Sequence, residues 1–260
     1  PVVEFMVDVI QPHPNDLILD PFCGSGRFLS TCLTYVRGDR EASDRTLHEF
    51  AFSKLHGIEK SERMVRVAMT DMMLQGDGHS NIRCTDSLLA FRNYPDIEPE
   101  SFDVILTNPP FGSSLGPDAI TGLGEFELAS ESGGTSLEVL GLERCYQLLR
   151  PGGRMGIVFP DGQLANVTST HVREWIQRHF KIRALVSLPV EAFTPFGANL
   201  GTSILFLRKW KGGDSREEDY DIFLGKAEDV GYDSSMRETG GNELPSLAQE
   251  LTSFIDNKGW

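Results

Sequence analysis

The chain has 260 residues, 40% of them hydrophobic, and a formal net charge of −14. This length allows one large α/β domain, or two small ones, with a buried core. No apolar run approaches the roughly 18–20 residues that span a membrane, and no secretory signal stands at the start. Residues 1–9 already follow a helical pattern without an initiator Met, so we expect a fragment whose N-terminal part is missing.

The acidic charge is unevenly distributed. Residues 211–260 contain 12 acidic and 5 basic residues, which is half of the net excess. Phosphate contacts normally need a basic surface, so this composition argues against a chain that binds nucleic acid by itself. An acidic enzyme can still act on nucleic acid if a partner supplies the basic surface.

The cysteines form no recognisable metal or disulfide pattern. They lack a C-x-x-C pair and have no histidine at ligand spacing beside them (Cys23, Cys32, Cys84 and Cys145). No metal site is therefore predicted. The pattern is typical of reduced thiols, and we expect a cytoplasmic protein.

Short apolar, β-branched runs alternate with helical patterns, which is typical of a parallel sheet covered by helices on both faces. The predicted strands are residues 17–20, 57–59, 82–84, 102–107, 154–159, 184–188 and 202–207. The predicted helices are residues 26–36, 61–74, 137–149 and 169–180. Only residues 189–201 separate the last two strands, and they contain two prolines, two glycines and no helical period. We therefore expect an antiparallel return at the end of the sheet.

The composition divides the chain near residue 210. We predict a catalytic domain over residues 1–210 and an acidic extension over residues 211–260 that packs on the domain or follows it. Within the extension, a polar linker, a strand at 221–225 and a helix at 244–255 are expected. Residues 112–135 are rich in Gly and Ser and are predicted to be an irregular segment that is functional or mobile.

A glycine-rich turn lies between the first predicted strand and the first predicted internal helix. Glycines there let the backbone approach a ligand and free N–H groups to bind it, although any tight strand-to-helix turn uses them. A dinucleotide motif would need a third glycine where this chain has Leu29. The acid at the strand end and the missing glycine favour a nucleoside amino acid over a pyrophosphate. The predicted cofactor-binding residues of this turn are Asp20, Pro21, Cys23, Gly24, Ser25 and Gly26.

Two further acids follow the next two predicted strands. Glu59 can accept hydrogen bonds from both hydroxyls of a ribose, and Asp86 can take an adenine amino group. Either acid alone could be an ordinary helix N-cap or a solvated loop residue. Together with Asp20 they stand at the carboxyl ends of three consecutive strands, the edge at which open α/β sheets bind ligands.

The fourth predicted strand runs into Asn108-Pro109-Pro110-Phe111. The prolines fix the backbone and direct its carbonyls, although a rigid Pro-Pro turn can also simply end a strand. The Asn108 side-chain oxygen and the Pro109 carbonyl can accept both hydrogens of an –NH2 group, which aims its lone pair at a sulfonium methyl. Positioning and fixed dipoles would then supply the catalysis. Phe111 offers a face on which a base can stack, and we predict that this turn is the catalytic centre.

These residues carry a family resemblance. The glycine turn followed by Asn108-Pro109-Pro110-Phe111 resembles the N6-adenine DNA methyltransferases in which the cofactor motif precedes the catalytic one. More narrowly, the chain is similar to the modification subunit of type I restriction-modification systems. Further similar stretches are residues 1–6, 149–154 with 158–162, 188–193, 202–206 and 242–245.

The resemblance implies a Rossmann-like, S-adenosylmethionine-dependent methyltransferase fold. Its sheet would be mostly parallel and seven-stranded, with an antiparallel final strand. The substrate would be adenine in duplex DNA, flipped out of the helix. Phe193 would be the aromatic wall opposite Phe111, with Phe196 as the other candidate. Arg27 departs from the small residue that the family often has, and could reach the cofactor carboxylate or be an exposed helix-start residue.

The resemblance also implies partners. A separate specificity subunit would read the DNA, with or without a restriction subunit, in a bacterial or archaeal cytoplasm. The family's N-terminal helical region and a further cofactor-binding element would precede this chain.

Other functions remain open at this point. Asn-Pro-Pro-aromatic turns also serve enzymes that methylate guanine N2 in ribosomal RNA or glutamine in proteins. A non-catalytic assembly module that keeps the fold is an alternative of another class. A nicotinamide oxidoreductase is disfavoured by the glycine spacing.

Overall fold

A computed structural model of the chain describes residues 1–38, 43–76, 81–116, 118–119, 123–129, 134–197, 199–216 and 219–260. A central sheet of eight strands lies between helices, and two short two-stranded sheets stand beside it. In chain order the strands are β1 (Ile18–Asp20), β2 (Leu55–Glu59), β3 (Asn81–Cys84), β4 (Phe102–Thr107), β5 (Ser114–Leu115), β6 (Thr135–Ser136), β7 (Leu149–Pro160), β8 (Phe180–Leu188), β9 (Thr202–Lys209), β10 (Phe223–Lys226), β11 (Val230–Tyr232) and β12 (Glu238–Asn242).

Helices connect several of the strands of the central sheet. They are α1 (Val2–Ile10), α2 (Arg27–Arg37), α3 (Asp44–Glu49), α4 (Glu62–Leu74), α5 (Leu137–Leu148), α6 (Asp161–Ala165), α7 (Thr170–His179) and α8 (Leu244–Lys258). Ser61 begins α4 by accepting the Met64 N–H, as a polar N-cap residue does. Within the described ranges, no helix combines the length and apolar character needed to cross a membrane.

The strand order of the central sheet is β10-β8-β9-β7-β4-β1-β2-β3. β9 runs antiparallel to both of its neighbours, and all other pairs in the sheet are parallel. The expected α/β fold, with a mostly parallel sheet and an antiparallel strand at 202–207, is therefore confirmed, and that strand, β9, continues to Lys209. The sheet has one strand more than the seven predicted, because β10 joins its edge beside β8.

The topology brings the predicted site residues to one edge. β4, β1, β2 and β3 are consecutive and parallel in the sheet, so their carboxyl ends lie side by side. Asp20 and Glu59 end β1 and β2, and Asp86 and Asn108 follow β3 and β4 within two residues. Ligands of open α/β sheets bind at this edge.

The last fifty residues share the core of the first helix. Val230 and Leu251 are fully buried in the same apolar cluster as Phe5 and Met6 of α1. Burying such a side chain stabilises a fold by about 1.5–3 kcal/mol, so the tail contributes to the stability of the sheet it joins. The division into a domain over 1–210 and an extension over 211–260 stays a prediction.

Two segments differ from the sequence prediction. α3 and the π-helical turn Phe50–Lys54 were not expected, since their sequence is mostly polar. The segment predicted as irregular, 112–135, contains β5, which pairs antiparallel with β6. Several of its residues lie outside the described ranges, as do residues 217–218 of the predicted linker.

Candidate active site

The glycine turn after β1 has the backbone conformation that glycine permits. Gly24 and Gly26 have φ angles of +50° and +79°, where other residues are strained. A Cβ at Gly26 would lie 3.1 Å from the Cβ of Ala68 in α4, so this glycine also allows two helices to approach. A Cβ at Gly24 would meet no atom within 4 Å. Gly26 therefore serves packing, and Gly24 leaves open space for a ligand.

Asp20 connects the glycine turn to the strand beside it. Its carboxylate is buried and accepts the Thr107 hydroxyl at 2.6 Å and the Phe22 N–H at 3.0 Å. Desolvation raises the pKa of Asp20 to about 7; the two hydrogen bonds lower it, and the nearby Glu59 charge adds to the rise. Asp20 is thus a rigid acceptor at the junction of β1 and β4.

Cys23 holds the turn from inside. Its N–H donates to the Ile58 carbonyl at 3.0 Å, and its carbonyl accepts the Gly26 N–H at 2.7 Å. Burial raises the pKa of the Cys23 thiol, so the neutral thiol packs against β2 rather than serving as a nucleophile.

Glu59 ends β2 and binds the glycine turn directly. Its Oε2 accepts the Gly24 N–H at 3.0 Å and its Oε1 accepts the Ser61 N–H at 2.7 Å. Each carboxylate oxygen has a second lone pair. Glu59 can therefore accept further donors while it holds Gly24 in place.

Asp86 follows β3 and is fixed in a similar way. Its Oδ1 accepts the Leu88 N–H at 3.0 Å, and its Oδ2 accepts the ammonium of Lys60 at 2.8 Å. The Tyr94 hydroxyl donates to the Asp86 carbonyl at 2.7 Å. The buried guanidinium of Arg144 donates to the Leu88 carbonyl. These bonds hold the loop that carries the Asp86 carboxylate.

Asn108 has an unusual environment. Its side-chain oxygen is buried and finds no hydrogen-bond partner within the part of the chain that the structure describes. A buried acceptor without a donor costs about 1–3 kcal/mol. Pro109 is buried against α5, where a Cβ at Gly141 would lie 3.2 Å from its Cβ, and Pro110 is exposed. The turn is therefore rigid on one side and presents an unsatisfied acceptor on the other.

Two cavities meet at Asn108. One, which we call the aromatic cavity, has a volume of about 530 Å³; its lining includes Asp20, Phe22, Cys23, Gly24, Ser25, Arg27, Asn108, Phe193, Phe196, Tyr232 and Met236. The other, the acidic cavity, has a volume of about 330 Å³; its lining includes Pro21, Phe22, Glu59, Lys60, Asp86, Asn108 and Pro110. Of the residues that the structure describes, only Phe22 and Asn108 line both, so they form the boundary between the cavities.

The predicted aromatic walls are in contact with each other. The rings of Phe111 and Phe193 meet edge to face, with centroids 6.2 Å apart and planes at 86°. Phe193 lines the aromatic cavity, as does Phe196, whose side chain is 67% exposed. A base that stacks between Phe111 and Phe193 would require the two rings to separate. Their stacking role stays a prediction.

Several residues of the site were not predicted from the sequence. Phe22 was passed over because its side chain follows no motif, and Lys60 because its pairing with Asp86 spans two strands. Tyr232 and Met236 reach the aromatic cavity from the tail. Arg27, predicted as either a cofactor contact or an exposed helix-start residue, lines this cavity. It lies 3.5 Å from Glu4, with both side chains largely exposed. Among the residues described above, no three His, Cys, Asp or Glu side chains are arranged to hold a metal ion.

The site geometry fits a nucleoside amino acid. The acidic cavity offers carboxylates at two positions, and the aromatic cavity begins at a glycine whose missing Cβ leaves room. The orphaned Asn108 oxygen stands where the two cavities meet. Such a site can hold an elongated ligand across Asn108 and a second, planar group against the aromatic side chains.

Comparison with known proteins agrees with this chemistry. The model of a family described as N-6 DNA Methylase matches residues 1–243. The chain is 30% identical over 210 residues to the methylase subunit of the type I restriction enzyme EcoEI from Escherichia coli. That match covers 80% of this chain and 41% of the subunit. The chain therefore spans less than half the length of this relative.

Two solved structures show the same fold. The type I restriction-modification methyltransferase subunit from Streptococcus thermophilus has a TM-score of 0.71 and 19% identity, over 98% of this chain and 52% of that chain. A chain from a structure of the type I restriction-modification system has a TM-score of 0.75 and 22% identity, over all of this chain and 51% of that chain. At these identities the likeness concerns the fold, which is the Rossmann-like fold of S-adenosylmethionine-dependent methyltransferases.

Proposed function

Because this chain belongs to the N-6 DNA methylase family, we propose that it transfers a methyl group from S-adenosylmethionine to N6 of adenine in duplex DNA. One observation supports this most strongly: the Asn108 side-chain oxygen is a buried acceptor without a donor in the described chain, at the boundary of two cavities. An exocyclic amino group supplies the donor that this oxygen lacks. A hydroxyl or thiol that received the methyl group would offer only one hydrogen for a hydrogen bond.

The acidic cavity and the glycine turn are the proposed cofactor site. Asp86 would accept the adenine amino group, and Glu59 would accept the ribose hydroxyls on lone pairs that Gly24 and Ser61 do not use. The space above Gly24 would take the amino acid portion, with Pro21, Cys23 and Ser25 shaping the turn. Bound S-adenosylmethionine supplies a methyl group on a positively charged sulfur.

The chain's own residues would activate the acceptor by orientation. The Asn108 oxygen and the Pro109 carbonyl each accept one hydrogen of the amino group, which draws its lone pair out of conjugation with the ring. Because Pro109 is packed against α5, these acceptors move little during the reaction. Preorganised dipoles of this kind are the largest contribution in many enzymes, and holding both groups in line adds to it.

The aromatic cavity is the proposed site of the target base. A base inside a duplex cannot reach Asn108, so the adenine would be flipped out of the helix. Phe111 and Phe193 would flank it after their edge-to-face contact opens. Stacking on an aromatic side chain is worth roughly 1–3 kcal/mol per base, which offsets part of the cost of unstacking.

We also propose that DNA binding needs a partner. A net charge of −14 disfavours phosphate contacts by this chain alone. A specificity subunit would supply the basic surface and read the sequence, and a restriction subunit could join the same assembly in the cytoplasm of a bacterium or archaeon. The acidic chain would then carry only the chemistry.

Product identification tests the proposal. This chain, assembled with its specificity subunit, would be incubated with methyl-labelled S-adenosylmethionine and, in parallel reactions, with duplex DNA, ribosomal RNA or cell protein. The labelled nucleosides and amino acids would be identified by mass spectrometry. The proposal expects the label in N6-methyladenine. Label in N2-methylguanine of ribosomal RNA or in protein glutamine would assign one of the alternative methyltransferases. Binding of DNA or partner without methyl transfer would instead support a non-catalytic module.

A further inference from the structure

The hairpin formed by β11 and β12 lies beside the aromatic cavity because of the sheet topology. β10 is parallel to β8, so both strands end at the same edge of the sheet. The chain after β8 forms two short 3-10 turns, Val190–Ala192 and Thr194–Phe196, and the chain after β10 forms the hairpin. The Ala227 N–H donates to the Ser187 carbonyl at 2.9 Å, which joins the two exits.

The hairpin is an ordered element with its own hydrogen bonds. Tyr232 pairs with Glu238 across it, and Asp233 closes the turn by accepting the N–H groups of Ser235 and Arg237. Val230 at its base is fully buried in the main core. The position of the hairpin relative to β8 is therefore fixed at its base.

Tyr232 connects this hairpin to the turn that carries Phe193. Its hydroxyl donates to the Ala192 carbonyl at 2.9 Å. Ala192 is fully buried and immediately precedes Phe193, whose ring meets Phe111. Burial raises the pKa of Tyr232, so its hydroxyl remains a neutral donor. Tyr232 also lines the aromatic cavity.

Met236 extends the same wall. It lies at the tip of the hairpin with a φ of +62°, is 54% exposed and lines the aromatic cavity. A thioether adapts its shape to a planar group more readily than a branched side chain does. The tail thus provides apolar surface to the cavity in addition to the hydrogen bond from Tyr232.

We propose that the hairpin Val230–Asn242 is part of the wall that receives the target base, with Tyr232 as the positioning residue for Phe193. This inference rests on the proposed function, since it concerns the same base site. Tyr232 acts through the Ala192 carbonyl. Its hydrogen bond holds the 3-10 turn close to the hairpin, in the position where Phe193 lines the aromatic cavity. Without that bond the turn moves outward and the flipped base loses one of its stacking surfaces.

Tyr232→Phe tests the proposal, because it removes one hydroxyl and keeps the ring. Methylation kinetics are measured in the assembled enzyme with duplex DNA that carries adenine at the target position. Base flipping is followed separately by fluorescence with 2-aminopurine at that position, because 2-aminopurine has no N6 amino group to methylate. We expect KM for DNA to rise about 2- to 10-fold, the range of one hydrogen bond, with a smaller change in kcat and weaker 2-aminopurine fluorescence. The affinity for S-adenosylhomocysteine should be unchanged, because the lost bond is to Ala192 and no residue of the proposed cofactor site takes part in it.

Tyr220→Phe is the matched control. It removes the hydroxyl of another tail tyrosine. That hydroxyl accepts the Ile182 N–H at 3.2 Å, and Tyr220 lines neither cavity. This control should behave as wild type. Combining Tyr232→Phe with Phe193→Ala should add nothing to Phe193→Ala alone, because the hydroxyl acts through that ring.

Four results would overturn the proposal. Wild-type KM and fluorescence in Tyr232→Phe would show that the hydroxyl does not position the wall. If Tyr232→Phe weakened the binding of S-adenosylhomocysteine as much as the binding of DNA, the hydroxyl would support the fold in general. Additive effects of Tyr232→Phe and Phe193→Ala would show the same. A wild-type assembly that does not methylate adenine would instead refute the proposed function, and this inference with it.

Discussion

The Thr107 hydroxyl donates to the buried Asp20 carboxylate at 2.6 Å, and this bond joins the two functional turns of the site. Asp20 opens the glycine turn, and Thr107 is the residue before Asn108. The cofactor turn and the catalytic turn are therefore fixed to each other through the ends of neighbouring strands β1 and β4. Because this single hydrogen bond joins the two turns, a shift in one turn is expected to move the other.

The Asp20 carboxyl gives the protein a pH-dependent stability. Burial raises its pKa from 3.8 to about 7, so the folded protein binds this proton more tightly than the unfolded chain does. The stability that this proton supplies is complete below about pH 4 and is lost as the pH rises to about 7. Asp20→Asn keeps an acceptor for Thr107 and Phe22 without titrating. Relative to this variant, the wild-type free energy of unfolding should fall between about pH 5 and pH 7, within the interval set by the unfolded and folded pKa values of Asp20.

Urea denaturation across that range checks the prediction. Asp96→Asn is the control: a hydrogen bond from Arg83 lowers the pKa of Asp96, so its titration lies below the range. Its difference from wild type should stay constant. A constant difference for Asp20→Asn as well would mean that Asp20 does not carry a raised pKa.

Replacement by alanine should have different effects at the two glycines of the turn, one mainly on stability and the other mainly on cofactor affinity. Both have positive φ, which costs a non-glycine residue roughly 1–2 kcal/mol. Gly26→Ala also presses on Ala68 at 3.1 Å, so it should destabilise the fold more. Gly24→Ala puts its methyl group into the aromatic cavity, so it should weaken S-adenosylhomocysteine binding more than it lowers stability. Calorimetry and urea denaturation separate these effects, and full cofactor affinity in Gly24→Ala would remove this turn from the cofactor site.

Asp86→Ala should weaken cofactor binding with little effect on the catalytic turn. Loss of a hydrogen bond to a charged group is worth about 1.5–3 kcal/mol, or roughly a 10- to 100-fold rise in Kd for S-adenosylhomocysteine. Asp96→Ala removes an exposed acid that pairs with Arg83 and lines neither cavity, and should bind as wild type. Unchanged calorimetric affinity in Asp86→Ala would exclude Asp86 from the site.

Alanine at Phe193 should reduce the extrahelical population of the target base. Loss of a stacking surface costs roughly 1–3 kcal/mol, which the fluorescence of 2-aminopurine in place of the target adenine reports. Phe196→Ala, at the exposed mouth of the same cavity, should have a smaller effect. The reverse order would identify Phe196 as the stacking wall and Phe193 as a packing residue.

Much of the fold could be predicted from the sequence because its signals are local. Apolar, β-branched runs predicted the bounds of β1 to β4 to within a few residues. Because these strands follow one another in a parallel sheet, Asp20, Glu59 and Asp86 were expected at one edge. Proline and glycine between residues 189 and 201 indicated the antiparallel return of β9. These features depend on neighbouring residues in the chain.

The parts that were missed depend on distant contacts. A strand was predicted at 221–225 and is found as β10 at Phe223–Lys226. Its place beside β8 in the central sheet was missed, because it follows from pairing that no local pattern records. The bond between Tyr232 and Ala192 joins residues forty positions apart, so the tail's contribution to the cavity was not visible. The contact between Phe111 and Phe193 likewise arises only in the folded chain.

Asn108→Ala tests whether the Asn108 side-chain oxygen activates the amino group of the target adenine. The single-turnover rate of methyl transfer to adenine, measured with saturating cofactor in the assembled enzyme, should fall by roughly 10²–10³, as for the loss of one preorganised polar group. Affinity for S-adenosylhomocysteine should survive. Asn93→Ala, which removes another side-chain amide outside both cavities, is the control. An Asn108→Ala enzyme that methylates adenine at the wild-type rate would contradict the account.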